Sequence, residues 1–223
     1  MGFTTIVSSD TLEQHLQDPT WVIVDCRFDL TKPAWGQESY AAAHIPGAFF
    51  ADLDHDLAGP KTATSGRHPL PSTDSWLRLV SKWGIERGTQ VVAYDSAGGS
   101  LAAVRVWWLL RAYGHRFAAV LDGGWPKWQR EARPMDGGSP KPHPGSPFTG
   151  KMDDCQMVST AQLVDLIEQP EILLLDARAP ERFRGEVEPI DPIAGHIPGA
   201  RNRPSAMNLN PDLTFKSAEQ LRQ

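Results

Sequence analysis

The segment "VIVDCR" (residues 22–27) recurs as "LLLDAR" (residues 173–178), and "AAHIPGA" (residues 42–48) recurs as "AGHIPGA" (residues 194–200). Asp25 and Asp176 are offset by 151 positions, and His44 and His196 by 152. Two motifs in one order at nearly one offset indicate a duplicated domain of ordinary size. The period is far too long for a solenoid repeat. The chain must therefore fold as two units of one architecture.

Each copy opens alike. "SSDTLEQHLQ" and "STAQLVDLIEQ" carry Ser or Thr caps ahead of helical apolar spacing. An apolar strand ending in Asp-x-Arg follows, then a looser segment, then His-Ile-Pro-Gly-Ala. In that pentapeptide Pro fixes one φ and Gly permits a left-handed one, which predicts a tight turn into a short strand. Copy one continues with a helix over about 74–83, a strand over 91–94, the small-residue loop "DSAGGS", a helix over 101–113 stopped by Gly114, and the strand "FAAVLDGG". Short apolar strands alternating with helices predict an α/β fold with a parallel sheet flanked by helices.

Domain 1 is assigned to residues 1–134 and a Pro- and Gly-rich linker to 135–157. The start of domain 2 is assigned to 158–223. That second domain is expected to be incomplete. Copy one runs 86 residues from His44 to Arg130, whereas 27 follow His196. "TDSWLRL" resembles "SAEQLRQ" with Leu77 matching Leu221, an offset of 144, so the counterpart of Asp95 is expected at about position 239.

A net charge of -5 gives no basic field to attract nucleic acid or an anionic membrane. No apolar run approaches the ~18 residues of a membrane span, and the N-terminus reads as no secretory signal. The two cysteines, Cys26 and Cys155, have neither metal nor redox spacing, and the seven histidines show no zinc spacing. These features predict a cytoplasmic protein with no metal and no cofactor.

Asp-x-Arg followed by His-Ile-Pro-Gly-Ala, twice, with "YDSAGG" and "LDGGWPKW" in the first copy, resembles the tandem rhodanese-type sulfurtransferases, a family of thiosulfate and 3-mercaptopyruvate sulfurtransferases. The resemblance covers nearly the whole chain. It implies two rhodanese-like domains with catalysis in the second, a small-molecule sulfur donor and a thiophilic acceptor such as cyanide. It also implies a cysteine nucleophile carrying sulfur as a persulfide. By the repeat register that cysteine lies beyond residue 223. Such a thiolate needs a lowered pKa, which N–H groups at a helix N-terminus and nearby cations supply.

Asp95 stands where the catalytic domain carries cysteine, and is read as a non-catalytic loop residue. "DSAGGS" matches neither nucleotide-binding glycine pattern. Cys26 lies between Asp25 and Arg27, and Cys155 follows two acids that oppose a thiolate; neither is read as the nucleophile. Arg27 and Arg178 recur and are expected to form an ion pair or turn clamp. The resemblance implies Arg182, in "ERFRGEVEP", as the donor-binding arginine, its planar fork matching an oxyanion. Arg184 and His44 are weaker substrate-binding candidates. Mercaptopyruvate enzymes carry an arginine just after a Glu-Pro downstream of this residue. Here Glu188-Pro189 is followed by Ile190 and Asp191, which favours thiosulfate. The competing reading is a non-catalytic rhodanese-like binding or regulatory module. A phosphatase or arsenate reductase relative would need Cys-x5-Arg, which is absent.

Overall fold

The computed structural model describes residues 2–138 and 146–222. The chain forms two compact units, one of residues 1–153 with 212–214, the other of 154–211 with 215–223. Residues 139–145 of the expected linker lie outside the described residues.

The first unit is built on a five-stranded sheet in the order β1-β5-β4-β2-β3, with every pairing parallel. Its strands are β1 (Ile6–Val7), β2 (Trp21–Asp25), β3 (Phe49–Phe50), β4 (Gln90–Tyr94) and β5 (Ala118–Leu121). The two longest, β2 and β4, pair side by side from Trp21 opposite Gln90 to Asp25 opposite Tyr94. Every residue of β4 is buried. A strand covered on both faces reads as a continuous apolar run, which is how "VVAY" and "VIV" read.

The helices are α1 (Ser9–Gln14), α2 (Trp35–Ala42), α3 (Thr73–Lys82), α4 (Ala102–Ala112) and α5 (Gly124–Arg130). Ser8 and Ser72 cap α1 and α3 by accepting from Thr11 N and Ser75 N, each at 3.2 Å. Trp76 and Val80, one turn apart, are the buried residues of α3. Gly114 follows α4 at φ +86, the left-handed residue after a helix end. The core joins Leu12, Ile45, Val92, Tyr94, Leu121, Trp125 and Trp128. Burying large aromatic side chains such as these contributes roughly 25 cal/mol per Å² of apolar surface.

The predicted tight turn is present in both copies. Ala48 N donates to Ile45 O and Ala200 N to Ile197 O, both at 3.0 Å. The glycine at the third position has φ +76 at Gly47 and +83 at Gly199. Pro then Gly at the centre is the type II turn pattern. The looser segment of copy one is helical, as α2. No side chain caps its start. Gly36 lies inside it because a Cβ there would come within 2.2 Å of Arg27 O. Both features weaken the helical signal.

The second unit repeats this frame. Its α6 (Thr160–Leu166) is closed by a capping box between Ser159 and Gln162. Its strands β6 (Leu175–Asp176) and β7 (Arg201–Asn202) pair with Asp176 opposite Asn202, as Asp25 pairs opposite Phe50. The remaining helices are α7 (Pro180–Phe183) and α8 (Ala218–Arg222). Among the described residues β6 has β7 alone as a neighbour, and Leu173, Leu175 and Ile193 stand exposed.

Among the described residues no helix is long and apolar enough to cross a membrane.

Candidate active site

Asp95 sits at the tip of β4, fully buried, where the strand turns into the loop before α4. Its Oδ1 accepts from Ala97 N and Gly99 N, both at 2.8 Å. Its Oδ2 accepts from Leu101 N at 2.9 Å and Ala103 N at 3.1 Å. Four main-chain donors thus converge on one carboxylate. Gly98 at φ +70 and Gly99 at φ +90 give the loop its curl. A Cβ on Gly99 would lie 2.1 Å from Val120 Cγ1, so the close approach to β5 needs glycine. The loop is an anion cradle at a helix N-terminus, and in copy one its own aspartate fills it.

Two carboxylate–guanidinium clamps recur with one geometry. Arg27 Nη2 donates to Asp25 Oδ2 at 2.7 Å and to Ala43 O at 2.7 Å. Arg178 Nη2 donates to Asp176 Oδ2 at 2.6 Å and to Gly195 O at 2.6 Å. Each arginine therefore ties the end of its strand to the residue before His-Ile-Pro-Gly-Ala. In copy one the clamp is buried, with Tyr94 Oη donating to Asp25 Oδ2 at 2.7 Å and the Arg27 guanidinium 4.2 Å from the Trp125 ring centroid. Burial, then the neighbouring Asp25, pushes the Tyr94 phenol well above its ordinary range.

The histidines recur as well. His44 Nδ1 lies 2.7 Å from Tyr40 O with its ring stacked on Tyr40 at 4.0 Å. His196 Nδ1 lies 2.6 Å from Phe183 O with its ring stacked on Phe183 at 3.7 Å. The structure does not bring His44 to a surface. It is fully buried, and its Nδ1 is spent on the backbone.

The aromatic–histidine pair aligns the two copies where the sequence spacing does not. Tyr40 matches Phe183, so Ser39 of copy one occupies the place of Arg182 in copy two. Three residues separate Tyr40 from His44, and twelve separate Phe183 from His196. The longer connection carries Glu188 and Asp191, and both reach Arg182. Arg182 Nε donates to Glu188 Oε2 at 3.1 Å and Nη2 to Glu188 Oε1 at 2.7 Å. The same Nη2 donates to Asp191 Oδ2 at 2.9 Å. Glu188 is nearly enclosed and also accepts from Ile190 N and Asp191 N, both at 3.1 Å. Its carboxyl is held down to about 2, against an ordinary 4.5, chiefly by the Arg182 hydrogen bonds. Arg184 turns to a different acid, pairing with Glu186 at the surface at 2.7 Å.

Cys26 is fully buried, and burial followed by Asp25 drives its thiol well above the ordinary range. A thiol held protonated there is a core residue. Cys155 is exposed in a 3-10 turn, Asp154–Gln156. Among the described residues no three His, Cys, Asp or Glu side chains gather as a metal site.

The rhodanese-like domain family model matches residues 8–131 and 159–223. The chain belongs to the rhodanese-like family. Its rhodanese-like α/β fold, in tandem copies, matches solved structures over almost its full length. A 3-mercaptopyruvate sulfurtransferase from Leishmania major superposes with a TM-score of 0.82 at 30% identity, covering 98% of this chain and 60% of that one. A probable 3-mercaptopyruvate sulfurtransferase of Pseudomonas aeruginosa is 42% identical across the whole of this chain and 78% of its own length. A putative thiosulfate sulfurtransferase of Mycobacterium tuberculosis is 41% identical, over 86% of this chain and 67% of its own. Within this rhodanese-like frame the clamps, turns and histidines are common to both copies. Arg182 with Glu188 and Asp191 belongs to copy two alone.

Proposed function

We propose that the protein is a thiosulfate sulfurtransferase working through a cysteine persulfide in its second domain. The observation that carries this reading is the Asp95 cradle. It is a loop built to hold one negative charge on four N–H groups, and such a cradle in the second domain would hold a thiolate. The nucleophile is then a cysteine outside residues 1–223, in register with Asp95. Domain 1 spans 1–134, 135–157 links, and domain 2 begins at 158. Two cysteines without metal or redox spacing fit a reducing cytoplasm.

In the reaction the thiolate attacks the outer sulfur of thiosulfate, and sulfite leaves with the electron pair of the broken S–S bond. Cyanide carbon then attacks the terminal sulfur of the persulfide. Thiocyanate is released and the thiolate is regenerated. Arg182 binds the donor's sulfonate oxygens through its planar fork. Its single guanidinium, with Asp191 beside it, suits thiosulfate better than 3-mercaptopyruvate, whose carboxylate and ketone call for a second donor group.

The test is thiocyanate formation by the intact gene product with each donor. Turnover with thiosulfate, reduced at least tenfold by Arg182→Ala through KM, supports the reading. Inactivity with both donors, together with binding of a protein partner, would establish the non-catalytic module instead.

A further inference from the structure

The two acids that hold Arg182 are not equivalent. Glu188 is the aiming group. It engages Nε and Nη2 together, its side chain is 5% exposed, and its second oxygen also lies 3.5 Å from Arg178 Nη1. Asp191 makes one bond, to Nη2, from a side chain that is 41% exposed. The main chain beneath it is pinned, because Asp191 N donates to Glu188 Oε1. A rotation about the Asp191 side chain therefore frees one N–H of Nη2 and leaves the bond from Nη2 to Glu188 in place.

Charge points the same way. The guanidinium groups of Arg178 and Arg182 face the three carboxylates of Asp176, Glu188 and Asp191. An anion arriving at Arg182 with Asp191 in place meets a cluster that is already negative. With Asp191 swung out to water, the remaining pairs balance and one donor site on Nη2 opens toward solvent.

We infer that Asp191 is a built-in competitor for the donor's oxyanion, seated on Arg182 Nη2 and displaced when the donor binds, while Glu188 positions the guanidinium. This rests on Arg182 being the donor site. Asp191 thereby sets donor affinity and favours donors able to expel a carboxylate.

The experiment is a titration of the intact gene product, its nucleophilic cysteine replaced by serine, with sodium thiosulfate, followed by the NMR signal of Arg182 Nε–H. Wild type is compared with Asp191→Asn, Asp191→Ser, Glu188→Gln and Arg182→Ala, each checked for a native-like amide spectrum. Either Asp191 variant is expected to bind thiosulfate about two- to fivefold more tightly, since an exposed ion pair of up to about 1 kcal/mol no longer has to be broken. The gain is expected to be smaller for the monoanion thiocyanate. Glu188→Gln is expected to weaken binding. If Asp191→Asn and Asp191→Ser bind no more tightly than wild type while Arg182→Ala abolishes binding, the competitor role is overturned and the donor site stands. If thiosulfate leaves the Arg182 signal unmoved in every protein, the donor site itself fails, and the competitor with it.

Discussion

Tyr94 Oη donates to Asp25 Oδ2 at 2.7 Å in the interior of the first unit, while Ile45 N donates to the same phenol oxygen at 3.2 Å. One hydroxyl thus joins the end of β4, the Asp-x-Arg clamp and the turn that follows His44. Tyr94→Phe leaves the ring in place and strips both bonds. The expected loss is about 1–3 kcal/mol, the cost of leaving a buried donor and acceptor unmet, measurable by urea unfolding.

The same phenol gives a pH prediction. Its folded-state pKa lies well above the ordinary value of 10. A raised pKa means the fold favours the protonated form. The stabilisation is complete below about pH 10 and is lost as pH climbs past the unfolded value. Thermal unfolding between pH 9 and 11 should show a falling Tm in wild type, with a shallower fall in Tyr94→Phe.

Glu188 gives the opposite sign. Its folded pKa of about 2 lies below the ordinary 4.5, so its contribution is present above pH 4.5 and lost as pH falls toward 2. The Arg182 Nε–H resonance should shift across that window, and Glu188→Gln should abolish the shift.

Asp95→Ala removes the common acceptor of four main-chain donors. Hydrogen bonds to a charged group contribute about 1.5–3 kcal/mol each, and water entering the space recovers part of the loss. A destabilisation of about 3 kcal/mol or more is expected in denaturant unfolding. Amide exchange should be accelerated at Gly99, Leu101 and Ala103 above all.

Gly99 and Gly47 both have positive φ and should separate strain from crowding. Nothing lies within 4 Å of a Cβ on Gly47, so Gly47→Ala carries backbone strain alone, roughly 1–2 kcal/mol. Gly99→Ala adds a contact at 2.1 Å with Val120 Cγ1 and should cost about 1–3 kcal/mol more. Unfolding curves of the two variants decide it.

Much of the frame was legible in the sequence because strong local chemistry wrote it. "VVAY" reads as a buried strand, Pro46-Gly47 and Pro198-Gly199 specify a turn, and Gly114 stops α4. The looser segments were opaque. The helix α2 starts without a side-chain cap and accommodates Gly36 for a contact with Arg27 that only the folded chain reveals. At the candidate site, Arg182 was visible as a residue type, but its carboxylates were not. The turn after α7 brings Glu188 and Asp191 to it. The signal that could have found them is the length of the segment between Phe183 and His196, far longer than its counterpart.

The clamp from arginine to main-chain carbonyl spans 16 residues in copy one and 17 in copy two, almost the same loop length with unrelated contents. With both ends fastened, the stretch between is an exchangeable cassette. One copy fills it with an eight-residue helix, the other with a single helical turn and a charged bend bearing Arg182. A chimera carrying residues 179–194 in place of 28–42 should therefore fold, and would carry Arg182, the proposed donor-binding residue, into the first unit.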